Sequence, residues 1–535
     1  MVCGNLNDMI SGRSLFLCTF LIVALVAIAV LLARRSLWKL KRPPDGRNSG
    51  PCVVLRRVGA SVLVVILFLV FAESTYLRNN LKNQQRVKSY EVWGVFHYYL
   101  GAKYFSELGY SNLYPCALEA DHESAGHWDR IVGARDVETY RMVPRPDLPP
   151  CPRAEFTAER WSEFSQDVEQ FAGLARPEYF AELFTDKGFN PPPSWVAVAK
   201  PLAQAIPISN GRVAAVVFNL DVIAFLIALL MVWWGCGGVT SLLTAGLAIF
   251  YFGSFGRIGG NFLQYLWFPL LAGAVICWAK KRPGAAGALV GAAAGLQVFP
   301  LFFAMPIVLR GGFDFFKGRK AAELRPYLRF SATFLAVILA SFLAGSLAGR
   351  GVDGWSEWEH KISLHRNYLQ GEIFNIGLAN LTAAAISTDR QDGSSYLTDA
   401  PNTFTRLQSL NDHFWVYRVG RWILLTLFVL AVWRGAAREL MGYGLLILYA
   451  LASCSPYYYL SLALVPAMFC KSGRSLRQHA TWGSVALFAV HMVYFWGVYI
   501  SWEYLPHLLS NGLIALFLIG LASIPILHPE SPSPS

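Results

Sequence analysis

Apolar runs of about 20 residues, each bounded by short clusters of Lys and Arg, recur along most of this chain of 535 residues. A run that long crosses the roughly 30 Å hydrocarbon core of a bilayer as a helix, because in lipid every backbone N–H and C=O must be satisfied within the segment. The pattern predicts an all-α polytopic membrane protein. Composition agrees: 55% of residues are hydrophobic, 15% are charged and mean hydropathy is +0.40, where a soluble domain carries about 25% charge. The net charge of +12 is gathered between apolar runs, as topology signals are, and does not read as a nucleic-acid surface.

Residues 15–33 form the first predicted span, and the RRSLWKLKR that follows places its end in the cytoplasm. Positive charge after the run, not before it, reads as an anchor and not a cleaved leader. With the basic linker this gives an N-terminal unit, 1–57. A span at 58–72 opens the core, 58–470, and leads to a first outer loop, 73–197. Within that loop a helix is expected over Ala158–Phe171. FNPPPSW (Phe189–Trp195) cannot be regular helix, since its three prolines lack N–H donors, and a short interfacial helix should follow it. Spans are expected at 212–234, 238–255, 261–279, 330–349 and 414–433, the last two flanking a second outer loop, 350–412. Gly284–Leu309 and 440–470 carry positive charge at both ends. Each is therefore predicted to be a hairpin of short helices entering from the cytoplasm, turning near Gln297–Pro300 and at SPYYY (Ser455–Tyr459). Spans at 481–501 and 511–527 with a cytoplasmic tail complete a C-terminal unit, 471–535. The total is about 11–13 transmembrane helices with large outer-face loops.

With this topology the chemistry-bearing segments gather on the outer face: GVFHYYLGAKYF, FNPPPSW, FGRIGGN, Gln297, HRNYLQGEIFNIGLAN, SPYYY and SWEYLPH. A site there has no access to cytoplasmic nucleotide donors, so group transfer would need a donor carried on lipid. Of nine cysteines none forms a CxxC. Cys116 and Cys151 both fall in the first outer loop and can pair if it faces an oxidising compartment.

These segments, in this order, resemble the GT-C superfamily of integral-membrane glycosyltransferases, and within it the polyprenyl-phosphate-mannose-dependent alpha-mannosyltransferases. The matches are VFHYYLGAKYF with SNLY, FNPPPSWVAVAKPLA, FGRIGGNFLQYLWFPLLAGAVICWAKKRPGAAGALVGAAAGLQVFPLFF, and CSPYYYLSLALVPA, spread over most of residues 90–470. The resemblance implies a GT-C-like bundle in a cell membrane, an outer-face active site, a polyprenyl-phosphate sugar donor and a glycan or glycolipid acceptor. The family's carboxylate before the Tyr-Tyr pair falls at Gly94, its Lys-x-x-Pro lysine at Gln297, and its Ser-Pro-x-x-x-His-Tyr histidine at Tyr459 or a neighbour.

Inverting transfer from a lipid phosphate needs a base for the acceptor hydroxyl and cations for the departing phosphate. The carboxylates considered as base are Glu91, Asp121 with its neighbour Glu119, and Glu372. Arg257, His365, Arg366 and Lys103 are the outer-face cations for phosphate, although Arg366 and Lys103 also suit headgroup anchors. His97 could position an acceptor or ligate a metal, and the EADHE acids (Glu119, Asp121, Glu123) could hold a divalent ion; no cofactor is otherwise implied. Asn261, Gln297 and Asn375 are candidate substrate contacts, and Tyr98, Tyr99, Tyr457, Tyr458, Tyr459, Trp195 and Trp355 could stack on sugars or form an interfacial belt. Asp221, an acid within a span, points to function by default. Broken apolar helices fit a transporter or flippase as well, and Gly94 fits a non-catalytic subunit that keeps the fold.

Overall fold

Gly287, Gly291 and Gly295 recur every fourth residue along PGAAGALVGAAAGL and so share one face of a helix. That helix, Pro283–Leu296, lays the face on Ala321–Ser346. A Cβ at Gly291 would stand 3.0 Å from the Phe334 carbonyl and one at Gly295 2.5 Å from the Ser341 hydroxyl, while at Gly287 it would run into the Phe330 carbonyl. Small-residue faces permit such approach where lipid supplies no hydrophobic drive between helices.

The computed structural model describes residues 86–87, 90–251, 258–372, 374–387, 401–501 and 504–528, all within the unit Asn83–Ser535. The expected anchor at 15–33, the linker to residue 57, the span at 58–72 and Arg257 lie outside the described residues.

The described chain is helical almost throughout. Four helices are long and apolar enough to cross a membrane: Gly211–Cys236, Ala321–Ser346, Phe414–Arg434 and Leu508–Leu527. Among the described residues they coincide with four expected spans; the spans at 15–33 and 58–72 lie outside those residues, and two of the remaining expected runs show why they are not among the four. Run 238–255 is helical only over Gly238–Phe250, 13 residues, or about 20 Å. Run 261–279 is helical only over Trp267–Ala279. Ahead of it Gly260, Phe262 and Leu263 take left-handed φ of 74°, 48° and 65°, and the buried Asp221 carboxylate accepts the amides of Gln264 and Tyr265 at 3.2 and 3.0 Å. Asp221 thus serves as a backbone cap inside the molecule.

Both hairpins form. Pro283–Leu296 and Leu301–Phe316 meet at Gln297–Pro300. Leu440–Leu451 stops before SPYYY, and its return arm is a 3-10 helix, Pro456–Leu464, followed by Val465–Met468. Arg474–Ser501 and Tyr504–Leu527 pack on each other.

The described part of the loop 73–197 folds around aromatic residues. Phe96 sits edge-on to Phe171, Phe180, Phe184 and Trp128 with centroids 5.4 to 6.2 Å apart, a geometry that the ring quadrupoles favour. Ala158–Leu174 supplies Phe171 and begins at Thr157, whose hydroxyl accepts the Arg160 amide. A two-stranded antiparallel hairpin, β1 (Gly133–Asp136) and β2 (Arg141–Pro144), pairs Gly133 with Pro144 and Asp136 with Arg141. Cys116 and Cys151 are joined, with Cα atoms 4.7 Å apart. Ser194 donates to the Gly295 carbonyl, and Lys200 to Ser106 and the Ala348 carbonyl, so the helix Pro193–Ala205 ties this layer to the apolar helices beneath it.

Candidate functional site

Ahead of the proline stretch the chain reads FTDKGFN, and its Asp186–Lys187–Gly188 turn is held from three sides. Arg135 of β1 donates to the Thr185 carbonyl at 2.7 Å and to the Tyr140 carbonyl at 2.6 Å. Gly188, at φ 73°, gives its amide to the Tyr114 hydroxyl at 3.1 Å. From the loop 350–412, the helix Asp353–Gly371 reaches over with Lys361, whose ammonium donates to the Lys187 carbonyl at 2.7 Å and lies 4.6 Å from the centre of the Tyr140 ring.

The Asp186 side chain keeps 30% of its surface open and accepts a hydrogen bond from the Trp93 indole at 2.9 Å. Burial opposes its ionisation. His97 and Lys187 nearby, with the Trp93 bond, outweigh that and hold the carboxyl down at about 2. Lys187 bonds Glu372 at 2.6 Å, and Asn375 steadies the other Glu372 oxygen at 2.8 Å. Burial lowers Lys361 to about 7 against the pull of Asp186. Burial, reinforced by Lys361 and Lys187, lowers His365 to about 3, so this ring is neutral at neutral pH. Below pH 7 three cations, Arg135, Lys187 and Lys361, therefore face two carboxylates, Asp186 and Glu372.

His97 lies in a π-helical turn, Phe96–Leu100, between Val92–Val95 and Gly101–Lys103. Such turns re-aim side chains and recur at functional sites. Its Nδ1–H donates to the Trp93 carbonyl at 2.8 Å, and its Nε2 meets the Tyr114 hydroxyl at 2.7 Å. Both nitrogens are thereby engaged, and burial lowers its basicity. Tyr98, on the same turn and partly open, has its phenol pushed well up by burial, and then by Tyr457, Tyr265, Asp186 and Asp221. Tyr98 thus lies within electrostatic reach of both Asp186 and Tyr457, the latter at the second hairpin tip. There the Tyr457 and Tyr458 rings lie 4.4 Å apart, the Tyr458 hydroxyl donates to Gln297 at 3.1 Å, and Tyr458 packs on Phe299.

Of the residues singled out in the sequence, His97, Tyr98, His365, Glu372 and Asn375 lie around the Asp186 turn, Tyr457 is within electrostatic reach of Tyr98, and Gln297 bonds Tyr458 at the hairpin tips. Others lie elsewhere. Glu91 is buried, and its carboxylate accepts from the Tyr179 hydroxyl at 2.9 Å, behind Trp93. Asp121 is fully buried and caps the amides of His127 and Trp128 at 3.2 and 2.7 Å. Its neighbours in EADHE diverge: Glu123 accepts from the Trp161 indole, and Glu119 lies 3.9 Å from Arg153. Lys103 is buried between Asp167 at 2.6 Å and Glu163 at 2.9 Å, away from the Asp186 turn. Tyr99 gives its hydroxyl to the Ile206 carbonyl, and Tyr459 is buried in the core. Asn261 is buried and bonds the Gly259 carbonyl. Arg366 is exposed. A Cβ at Gly94 would stand 2.5 Å from the Asn261 amide oxygen, so a carboxylate there would require the Asn261 side chain to move.

Asp186, Lys187 and Lys361 were not singled out in the sequence. Asp186 and Lys187 immediately precede the FNPPP signal, and a charged pair before a rigid turn is the cue that was open to reading. Lys361 offers none, since only the tertiary fold brings its helix over the turn. Among the described residues no three His, Cys, Asp or Glu side chains converge to hold a metal. No family model matches the chain, and neither a curated protein nor a solved structure matches it.

Proposed function

We propose that this chain is a membrane glycosyltransferase that moves a sugar, mannose or another hexose or pentose, from a polyprenyl-phosphate donor to a glycan or glycolipid acceptor at the Asp186 cleft. In this reading the cleft opens on the outer face of a cell membrane. The observation that carries it is an ionised, partly open carboxylate set beside lysines and walled by aromatic rings. Those are the three elements that transfer of a sugar from a phosphate needs: an anion for the acceptor hydroxyl, cations for the leaving group and flat apolar faces for the ring. The ordered motifs of the sequence support the same reading.

The acceptor oxygen would attack the anomeric carbon as the bond from that carbon to the phosphate oxygen breaks. The electron pair leaves with the phosphate, and the acceptor proton passes to Asp186. Lys187 and Lys361 would take the developing phosphate charge. A carboxyl held at about 2 is a weak base on its own. It stays anionic at every working pH, which suits it to hold the hydroxyl and to stabilise an oxocarbenium-like centre, and a phosphate bound beside the lysines would raise its affinity for the proton. His97, tied through both nitrogens, orients Tyr114 and the Gly188 turn.

Purified protein incubated with labelled polyprenyl-phosphate sugars and membrane-lipid acceptors should yield labelled product. Absence of transfer to every acceptor, together with uptake of a solute into proteoliposomes, would assign the chain to a carrier instead.

A further inference from the structure

We propose that a second site, at the basic end of the molecule, binds the phosphate of an anionic phospholipid headgroup. A cleft of about 150 Å³ opens there between Arg434, Gly435, Glu439, Arg474, Ile524 and His528. By this measure one water needs about 10–15 Å³, so the cleft has room for a phosphate ester with the start of its glycerol. It shares no residue with the Asp186 cleft.

Its position is that of a headgroup. Two of the helices long enough to cross a membrane, Phe414–Arg434 and Leu508–Leu527, end at it, and hydrocarbon gives way to headgroups where such helices end. Its lining has two halves. Leu476, Ile524 and Pro525 form an apolar side, as the glycerol and first acyl carbons require and a soluble phosphate does not. Arg434 and Arg474 form a cationic side, both exposed and neither with an acidic partner among the described residues. Arg forks match phosphate oxygens.

Glu439, the one acid in this lining, faces the protein. Its carboxylate accepts from the Tyr443 hydroxyl at 3.1 Å and the Ala436 amide at 3.2 Å, and lies 3.8 Å from Arg438. The arginines are therefore left to an outside anion. Lys471 and Arg477, exposed on the same end, add to the attraction for anionic lipid.

The test uses the full chain in mild detergent, with lipid retention read by native mass spectrometry and stability by thermal unfolding. Phosphatidylglycerol should be retained at about one per chain and raise the unfolding midpoint by about 2 °C or more; phosphatidylcholine and inorganic phosphate should do neither. Arg434→Gln with Arg474→Gln should lose most of the retained lipid. Ser475→Glu, at an exposed lining position, should lose it by repulsion without changing the lipid-free midpoint. Equal retention of phosphatidylcholine, or retention that survives Ser475→Glu, would overturn the site. An equal shift with inorganic phosphate alone would overturn the headgroup as its ligand.

Discussion

Two carboxylates near Trp93 differ in what surrounds them, and that difference separates structural from chemical roles. Glu91 is buried and bonded to Tyr179, so Glu91→Gln is expected to cost about 1–3 kcal/mol through a weakened buried bond, seen as a lower unfolding midpoint, with transfer retained. Asp186 is partly open and surrounded by cations. Lys361, at about 7, makes the site sensitive to pH with a definite sign: it is charged below that value and neutral above it. Affinity for a polyprenyl phosphate should therefore fall as pH rises through about 7, measured as a dissociation constant across pH 6–8. Lys361→Arg, with a group charged throughout, should remove the inflection. In the folded state this lysine binds fewer protons than in the unfolded chain between about 7 and its ordinary value of about 10.4, so its contribution to stability rises with pH over that window.

At the scale of elements the sequence carried much of the architecture. Positive charge at both ends of an apolar run revealed the hairpins, and the prolines revealed a break at 189–192, although Pro193–Trp195, expected to be irregular, already form the first turn of Pro193–Ala205, where a proline's missing N–H costs nothing. What was not legible were runs whose hydropathy continued while their helix did not, as at 258–266, where irregular backbone is stabilised by Asp221 from a distant segment. Asp221→Ala should orphan two buried amides and cost about 2–4 kcal/mol, read by thermal unfolding. Position 94 is a parallel case. The motif order led to a carboxylate there, yet only the fold shows Asn261 filling the space. Gly94→Asp should destabilise the protein without raising activity.

For the whole molecule, the proposed orientation puts the Asp186 cleft and the basic end in different compartments. Cys116 and Cys151 belong to the cleft side and are joined; Cys236 and Cys470 are joined as well, at the basic end next to Lys471, where the proposed orientation exposes their bond to a reducing cytosol. Disulfides persist in oxidising compartments and not in the cytosol. In cells, Cys116 and Cys151 should resist alkylation until reduced, while Cys236 and Cys470 should react with a membrane-permeant maleimide; the reverse pattern would invert the orientation. Long-range placement of this kind was only partly legible, because charge clusters report which side a loop is on and not which loops meet there. The Asp186 turn, β1 and the helix Asp353–Gly371 are far apart in sequence and become one site only through Arg135 and Lys361.

The most direct test is the initial rate of sugar transfer from a polyprenyl-phosphate donor by wild type, Asp186→Asn and Glu91→Gln, each checked for an intact fold. A lost acid–base partner typically costs about 10²–10⁴-fold. The account predicts a loss of that size in Asp186→Asn, with Glu91→Gln within a few-fold of wild type; an Asp186→Asn variant as active as wild type would contradict it.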